Sequence, residues 1–173
     1  MGSASRPPRV AGYLDTLGRS MAIDPRAFWA ENYYNHPPLN DQMISEAEAA
    51  LEVKLPVELI ELLRIQNGGY TKGFAHPMSQ RTTWAADHVP LDDLAGIVTN
   101  PSVDTPINLL ETAYLTTEWG LPPKQVLLSG DGHYWITLDY RNGPEPSVAC
   151  RIHHTKRECS CSILPVLILV IGS

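Results

Sequence analysis

Residues 125–152, QVLLSGDGHYWITLDYRNGPEPSVACRI, change the hydrophobic period of the chain and with it the fold class. Gln125 to Leu128 is a short apolar run that ends in the turn Gly130-Asp131-Gly132. His133 to Tyr140 then alternates, with Tyr134, Ile136, Leu138 and Tyr140 on one face, which is the two-residue period of a strand. Asn142-Gly143 is a hairpin signal, because both residues tolerate a positive φ. Val148, Cys150 and Ile152 alternate again. Three strands joined by two tight turns make an antiparallel meander.

Upstream the period is helical. In residues 41–69, DQMISEAEAALEVKLPVELIELLRIQNGG, a first helix is expected after Asn40 or Asp41, either of which can cap it. Ile44, Ala47 and Leu51 fall on one apolar face. Leu55-Pro56 punctuates the chain, with Pro56 suited to a first helical turn. A second helix carries Leu59, Ile60, Leu62 and Leu63 and stops at Asn67-Gly68-Gly69, where glycine is expected to take the left-handed conformation. Phe28, Trp29, Tyr33 and Tyr34, ahead of these helices, read as a segment that covers the core, a cluster that only sometimes forms a binding surface. Residues 70–100 read as loops with room for one short strand, and Pro106 to Trp119 as a helix with Ile107, Leu110 and Tyr114 on one side. Helices first and a meander later is the pattern of an α+β domain.

The chain has 173 residues, 43% hydrophobic and 18% charged, the profile of one globular domain able to bury a core. Fifteen prolines and twelve glycines favour short elements and many turns over a helical bundle. A net charge of −6 gives nucleic-acid binding no electrostatic support and would attract a basic protein. Three cysteines, Cys150, Cys159 and Cys161, and no secretory leader pattern predict a reducing, cytoplasmic setting. The longest apolar run, Ile163 to Ile171, is shorter than the ~20 residues of a membrane span and contains Pro165, so no membrane partner is expected. Residues 1–22, with Arg6, Arg9 and Arg19 against Asp15 alone, faintly resemble a transit peptide and are read as a flexible tail; Arg6 stands where a myristoylation signal needs Ser or Thr.

Taken in order, Ile44-Ser45-Glu46-Ala47-Glu48, Leu55-Pro56, Leu62-Leu63, Asn67-Gly68-Gly69, Pro90-Leu91-Asp92-Asp93-Leu94, Glu118-Trp119-Gly120-Leu121-Pro122, Leu128-Ser129-Gly130-Asp131-Gly132-His133-Tyr134-Trp135-Ile136 and Leu138-Asp139-Tyr140-Arg141 resemble the SMI1/KNR4 family, also called the SUKH superfamily. The resemblance spans roughly residues 25–150 and sets the expected domain at 23–155. It implies a single α+β domain with an antiparallel or mixed sheet packed by helices, and a non-enzymatic role without cofactor. Bacterial members resemble immunity proteins that neutralise toxin domains; fungal members resemble regulatory scaffolds in cell-wall synthesis and signalling. One departure concerns the end of the chain, where the family's amphipathic C-terminal helix is replaced by Arg151 to Cys161 and an apolar run without helical spacing. Residues 156–173 are therefore read as an atypical tail, aggregation-prone and leaving the sheet partly uncovered.

Asp131, His133 and Asp139 are the best catalytic candidates, as base and orienter of a hydrolase, but no nucleophile is marked near them. Ser129 lies in Leu-Ser-Gly-Asp-Gly, which is not the Gly-x-Ser-x-Gly elbow. Turn formation by Gly130, Asp131 and Gly132 is the preferred reading. His153, His154, Cys159 and Cys161 are ligand types that suit zinc, at a spacing that matches no common structural site. No catalytic residue and no metal ligand is therefore assigned. Tyr70, Trp84, Asp87, Asp92, Asp93 and Glu118 are the expected contacts to another protein, since Tyr and Trp anchor interfaces and the acids complement a basic partner. Leu55, Pro56, Asn67, Gly68, Gly69, Gly130, Asp131 and Gly132 are expected to be structural. Oligomeric state is not legible.

Overall fold

The computed structural model of the chain describes residues 25–77, 88–103, 105, 108–152 and 157–159. The expected N-terminal tail, Trp84, Asp87, His153, His154 and Cys161 lie outside the described residues, as does the chain from 160 onward. Among the described residues no helix is long and apolar enough to cross a membrane.

A short helical turn, α1 (Pro25–Phe28), precedes two helices, α2 (Asp41–Leu51) and α3 (Val57–Ile65). Asn40 caps α2, its side chain accepting the backbone N–H of Met43 at 2.9 Å. The apolar face expected from Ile44 and Ala47 is buried, with Met43 added and Leu51 packed at its margin. Pro56 stands just before α3 as its N-cap rather than inside the first turn. Leu59, Leu62 and Leu63 of α3 are fully buried against the same core, together with Phe28 and Trp29. Complete burial of one such side chain contributes about 1.5–3 kcal/mol. The indole N–H of Trp29 donates to the carbonyl of Leu62, tying the aromatic segment onto α3.

Two antiparallel sheets complete the α+β fold. β1 (Gly69–Pro77) pairs with β2 (His88–Leu94), and β3 (Gln125–Gly130), β4 (Tyr134–Asp139), β5 (Ser147–Ile152) and β6 (Arg157–Cys159) form a four-stranded sheet in sequence order. The small sheet is joined to the large one just past the end of β2, where the N–H of Ala95 donates to the carbonyl of Leu128 at 2.7 Å. Val126, Leu128, Ile136, Leu138, Tyr140, Val148 and Cys150 face the main core. Leu127 and Trp135, on the opposite face, pack with Leu115, Trp119 and Leu121 in a second cluster. Residues 135–140 are consequently all buried, although their sequence alternates, because α4 (Thr112–Glu118) and the Trp119 segment cover the far side.

Three expectations are corrected. Residues 70–100 hold two strands rather than loops with one. Their signal is diluted by Gly73, at φ +81 within a register shift between Tyr70 and Phe74. The helix expected from Pro106 begins only at Thr112, behind a 3-10 turn at Leu109–Glu111, and Tyr114 is exposed rather than inward. Asn108 is the cause: its side chain accepts the N–H of Val98 and of Leu110 and donates to the carbonyl of Val98, holding Asn108 itself extended against 96–98. Asn142-Gly143 does not make a two-residue hairpin. Asp139 pairs with Ser147, so residues 140–146 form the loop, and Pro144 and Pro146 have no N–H with which to close the ladder sooner. The large sheet also carries β6, at Arg157–Cys159, paired to β5.

The Asn-Gly-Gly unit also does more than stop a helix. α3 ends at Ile65 with an extended Gln66, ahead of the glycines. Asn67 is 4% exposed and uses every polar atom of its side chain: Nδ2 donates to the carbonyls of Pro37 (2.9 Å) and Ile97 (2.7 Å), and Oδ1 accepts the N–H of Ile97 (2.8 Å). Its own carbonyl accepts from Nδ1 of His36 at 2.7 Å. Gly68, at φ +82, lies so close to Gly96 that a Cβ would sit 2.4 Å from the Gly96 nitrogen. Asn67→Asp, which loses both donors and buries a charge, is expected to destabilise the fold by about 3–5 kcal/mol. Gly68→Ala is expected to cost about 2–3 kcal/mol, and exposed Glu61→Ala less than about 0.5 kcal/mol. Urea unfolding followed by circular dichroism reads all three, and an Asn67→Asp midpoint equal to the unsubstituted chain would refute this account of the junction.

Candidate functional site

The surface that sets itself apart is one face of the small sheet and the loop leading into α2. Tyr70 on β1 stands directly opposite Asp93 on β2, so the two side chains share a face. Beside them lie Tyr33 and Tyr34. Ring centroids are 5.2 Å apart for Tyr33–Tyr34, 6.1 Å for Tyr33–Tyr70 and 5.4 Å for Tyr34–Tyr70, and the Tyr34 and Tyr70 hydroxyls are hydrogen bonded at 3.0 Å. Tyr34 also stacks on His36 at 5.5 Å. Tyr33 is 72% exposed and Tyr70 42%, so this is an aromatic platform open to solvent. The ring of Tyr34 is anchored beneath it through His36 to Asn67.

Among the described residues the carboxylates around the platform have no cation partner. Asp93 is half-buried and accepts from the Ser129 hydroxyl at 2.5 Å. Burial raises its pKa above the ordinary value, the Ser129 bond opposes this, and the charges of Asp92 and Asp131 add to the rise. No ion pair to Asp92, Asp93 or Asp131 occurs among the described residues. Burial, followed by the same three carboxylates, pushes the Tyr134 hydroxyl up to about 12. The bond to Tyr70 is the main reason that Tyr34 is also raised to about 12. These tyrosines are therefore neutral throughout the physiological range, and the charge of the face comes from the aspartates.

Of the expected contacts, Tyr70 and Asp93 are brought together here; Asp92, which alternates to the other face of β2, and Asp131, in the β3–β4 turn, act on Asp93 through their charge. Glu118 is exposed at the end of α4 and takes no part in these interactions. Trp84 and Asp87 lie outside the described residues. The sequence groups Tyr33 and Tyr34 with Phe28 and Trp29 as core cover; the structure buries Phe28 and Trp29, packs half-buried Tyr34 against the core and turns Tyr33 outward. The polar Glu31-Asn32 between the pairs was the available sign.

Residues singled out for chemistry have structural tasks. Asp131 accepts the backbone N–H of His133 at 2.9 Å and shapes the β3–β4 turn, where Gly132, at φ +90, lies against the ring of Trp119. Asp139, 5% exposed, is gripped by Arg141, whose Nε and Nη2 donate at 2.6–3.0 Å while its backbone N–H donates at 3.0 Å. Those bonds hold the Asp139 carboxyl below its ordinary pKa despite burial. Among the described residues no three His, Cys, Asp or Glu side chains converge to hold a metal ion. An open groove of about 1280 Å³ between α2, the start of α4 and the 140–144 loop carries Glu48, Lys54, Lys124 and Arg141, charges of both signs that select no ligand.

Among protein families, residues 38–161 match the SMI1 / KNR4 family (SUKH-1). No curated protein matches the chain.

Asp93 and Asp139 have opposite linkage. The depressed pKa of Asp139 adds stability at neutral pH that is lost as pH falls through the range below its ordinary 3.8. The raised pKa of Asp93 means that the folded state holds its proton more tightly, so its charge costs stability once pH rises above that range. At pH 7, Asp139→Asn is expected to lower stability by about 1–3 kcal/mol, and Asp93→Asn to leave it unchanged or raise it. Thermal melts of both variants check the pair, and equal losses would contradict the assignment.

Proposed function

The chain belongs to the SMI1/KNR4 family (SUKH-1), and from that premise we propose that it acts without catalysis, by binding another protein through the tyrosine and aspartate face. The partner we infer is a basic domain, and the role that of an immunity protein occluding a toxin in the cytoplasm. The observation that carries this reading is Asp93, under the added charge of Asp92 and Asp131 and paired with no cation among the described residues, beside exposed, mutually braced tyrosines. Native proteins pair charges that they partly bury, and a partner's Lys and Arg side chains would complete this set. Tyrosine adds contact area at low entropic cost, because its ring has few rotamers to lose. The overall charge of −6 would steer a basic partner towards the chain from a distance.

Capture from the native source with the tagged full chain tests this, run at about 0.1 M and again at 0.5 M salt. A single basic protein is expected at one-to-one ratio, weakened at least tenfold by salt and lost in the double variant Tyr70→Ala, Asp92→Lys. Co-expression should relieve any toxicity of that protein, and the double variant should not. Capture that ignores the double variant would refute the face. A non-toxic partner held through the same face would replace the immunity role by that of a scaffold.

A further inference from the structure

The face is specific enough to name the side chain it takes. We propose that it receives an arginine of the partner, with the guanidinium laid on the Tyr70 ring and its N–H fork turned towards Asp93; the proposal rests on the docking face above. Four observations converge on arginine.

Asp93 has one oxygen engaged by Ser129, and no other donor reaches its carboxylate among the described residues. A carboxylate accepts about four hydrogen bonds, so most of its capacity faces the partner. The site is also partly dehydrated, since Asp93, Asp92 and Tyr134 are all only half-exposed and Ser129 is buried. A lysine ammonium is strongly hydrated and would lose that hydration here, whereas a guanidinium is weakly hydrated and carries five donors in a plane.

The second observation is the ring itself. Tyr70 is directly across the ladder from Asp93, and cross-strand neighbours hold their Cβ atoms about 4.5–5.5 Å apart. A flat cation over the ring therefore lies within hydrogen-bonding range of the carboxylate, the arrangement that combines stacking with charge-assisted bonds. Third, Tyr33 and Tyr34 brace Tyr70 from the side and Tyr34 bonds its hydroxyl, so the ring is set before the partner arrives. Fourth, the competing ligands fit less well. The aspartates do not converge as metal ligands do, and they repel the phosphates of a nucleic acid that would otherwise stack on the rings.

Two short peptides, acetyl-Gly-Arg-Gly-Arg-Gly-amide and its lysine counterpart, titrated into the full chain and followed by NMR, provide the test. The arginine peptide is expected to bind at least about tenfold more tightly, shifting the Tyr70 and Tyr33 ring signals and the backbone of Asp92 and Asp93. Asp93→Asn keeps the shape of the side chain and is expected to abolish the difference between the peptides. Tyr70→Phe should retain the preference and Tyr70→Leu lose it, which separates ring stacking from a structural role of the residue. Equal affinity for the two peptides would overturn the arginine assignment, as would a preference that survives Asp93→Asn. If the assignment falls but the captured partner is still lost with Tyr70→Ala, Asp92→Lys, the docking face stands. If the captured partner ignores that variant, the face itself is wrong.

Discussion

The structure turns on a single buried amide. Asn67 lies where three segments that are distant in sequence meet: the loop at His36 and Pro37, the end of α3, and the strand exit at Gly96 and Ile97. Each segment arrives with backbone groups that regular structure does not use, and a buried backbone group without a partner costs as much as a lost hydrogen bond. One asparagine satisfies two carbonyls and one N–H at once, which no apolar residue and no carboxylate can do. The glycines at 68 and 96 allow the backbones to approach closely enough for those bonds to form. A few ångströms on, the bond from Ala95 to Leu128 ties the small sheet to the large one. The helices, the ribbon and the meander are thus held in register around that residue.

The tyrosine and aspartate face proposed for binding is continuous with this junction. From Asn67 the contacts run outward through the Nδ1–H of His36, the ring of Tyr34 stacked on it, and the paired hydroxyls of Tyr34 and Tyr70. Rigidity is therefore supplied from the core, and the exposed rings need no ordering when a partner docks. The two half-buried and buried aspartates show how differently one residue type is treated across the molecule. Asp139 is surrounded by donors from Arg141 and belongs to the fold, while Asp93 stands among like charges with one hydroxyl for company. An acid left in that state lowers stability locally, a cost that function explains better than folding does.

What the sequence disclosed follows from the range of each interaction. The caps and periods of α2 and α3 are local, so Asn40, Ile44, Leu59 and Leu62 could be read directly. The three meander strands were equally plain in the alternation from His133 to Tyr140. The β1–β2 ribbon was not, because Gly73 and a shift of register break its pattern, and the pairing that defines it joins residues far apart in the chain. The start of α4 was misplaced for a similar reason, since Asn108 is committed to Val98 rather than to the helix. Tyr70, Asp92 and Asp93 could be proposed as contacts from residue type alone. That Tyr33 and Tyr34 join them depends on Tyr34 stacking on His36, a tertiary contact with no local trace.

β3 and β4 are covered on both faces, whereas the ribbon of β1 and β2 is tied to the body near its base, through Trp29 and Thr71, Ala30 and Tyr70, and Ala95 and Leu128. Substitutions at exposed ribbon positions clear of the Tyr34–Tyr70 contact, such as Lys72, do not touch the Asn67 junction, and distant sites add independently. Surface display in this architecture is separable from folding. A lineage can exchange the side chains shown at such ribbon positions while the scaffold beneath remains as it was.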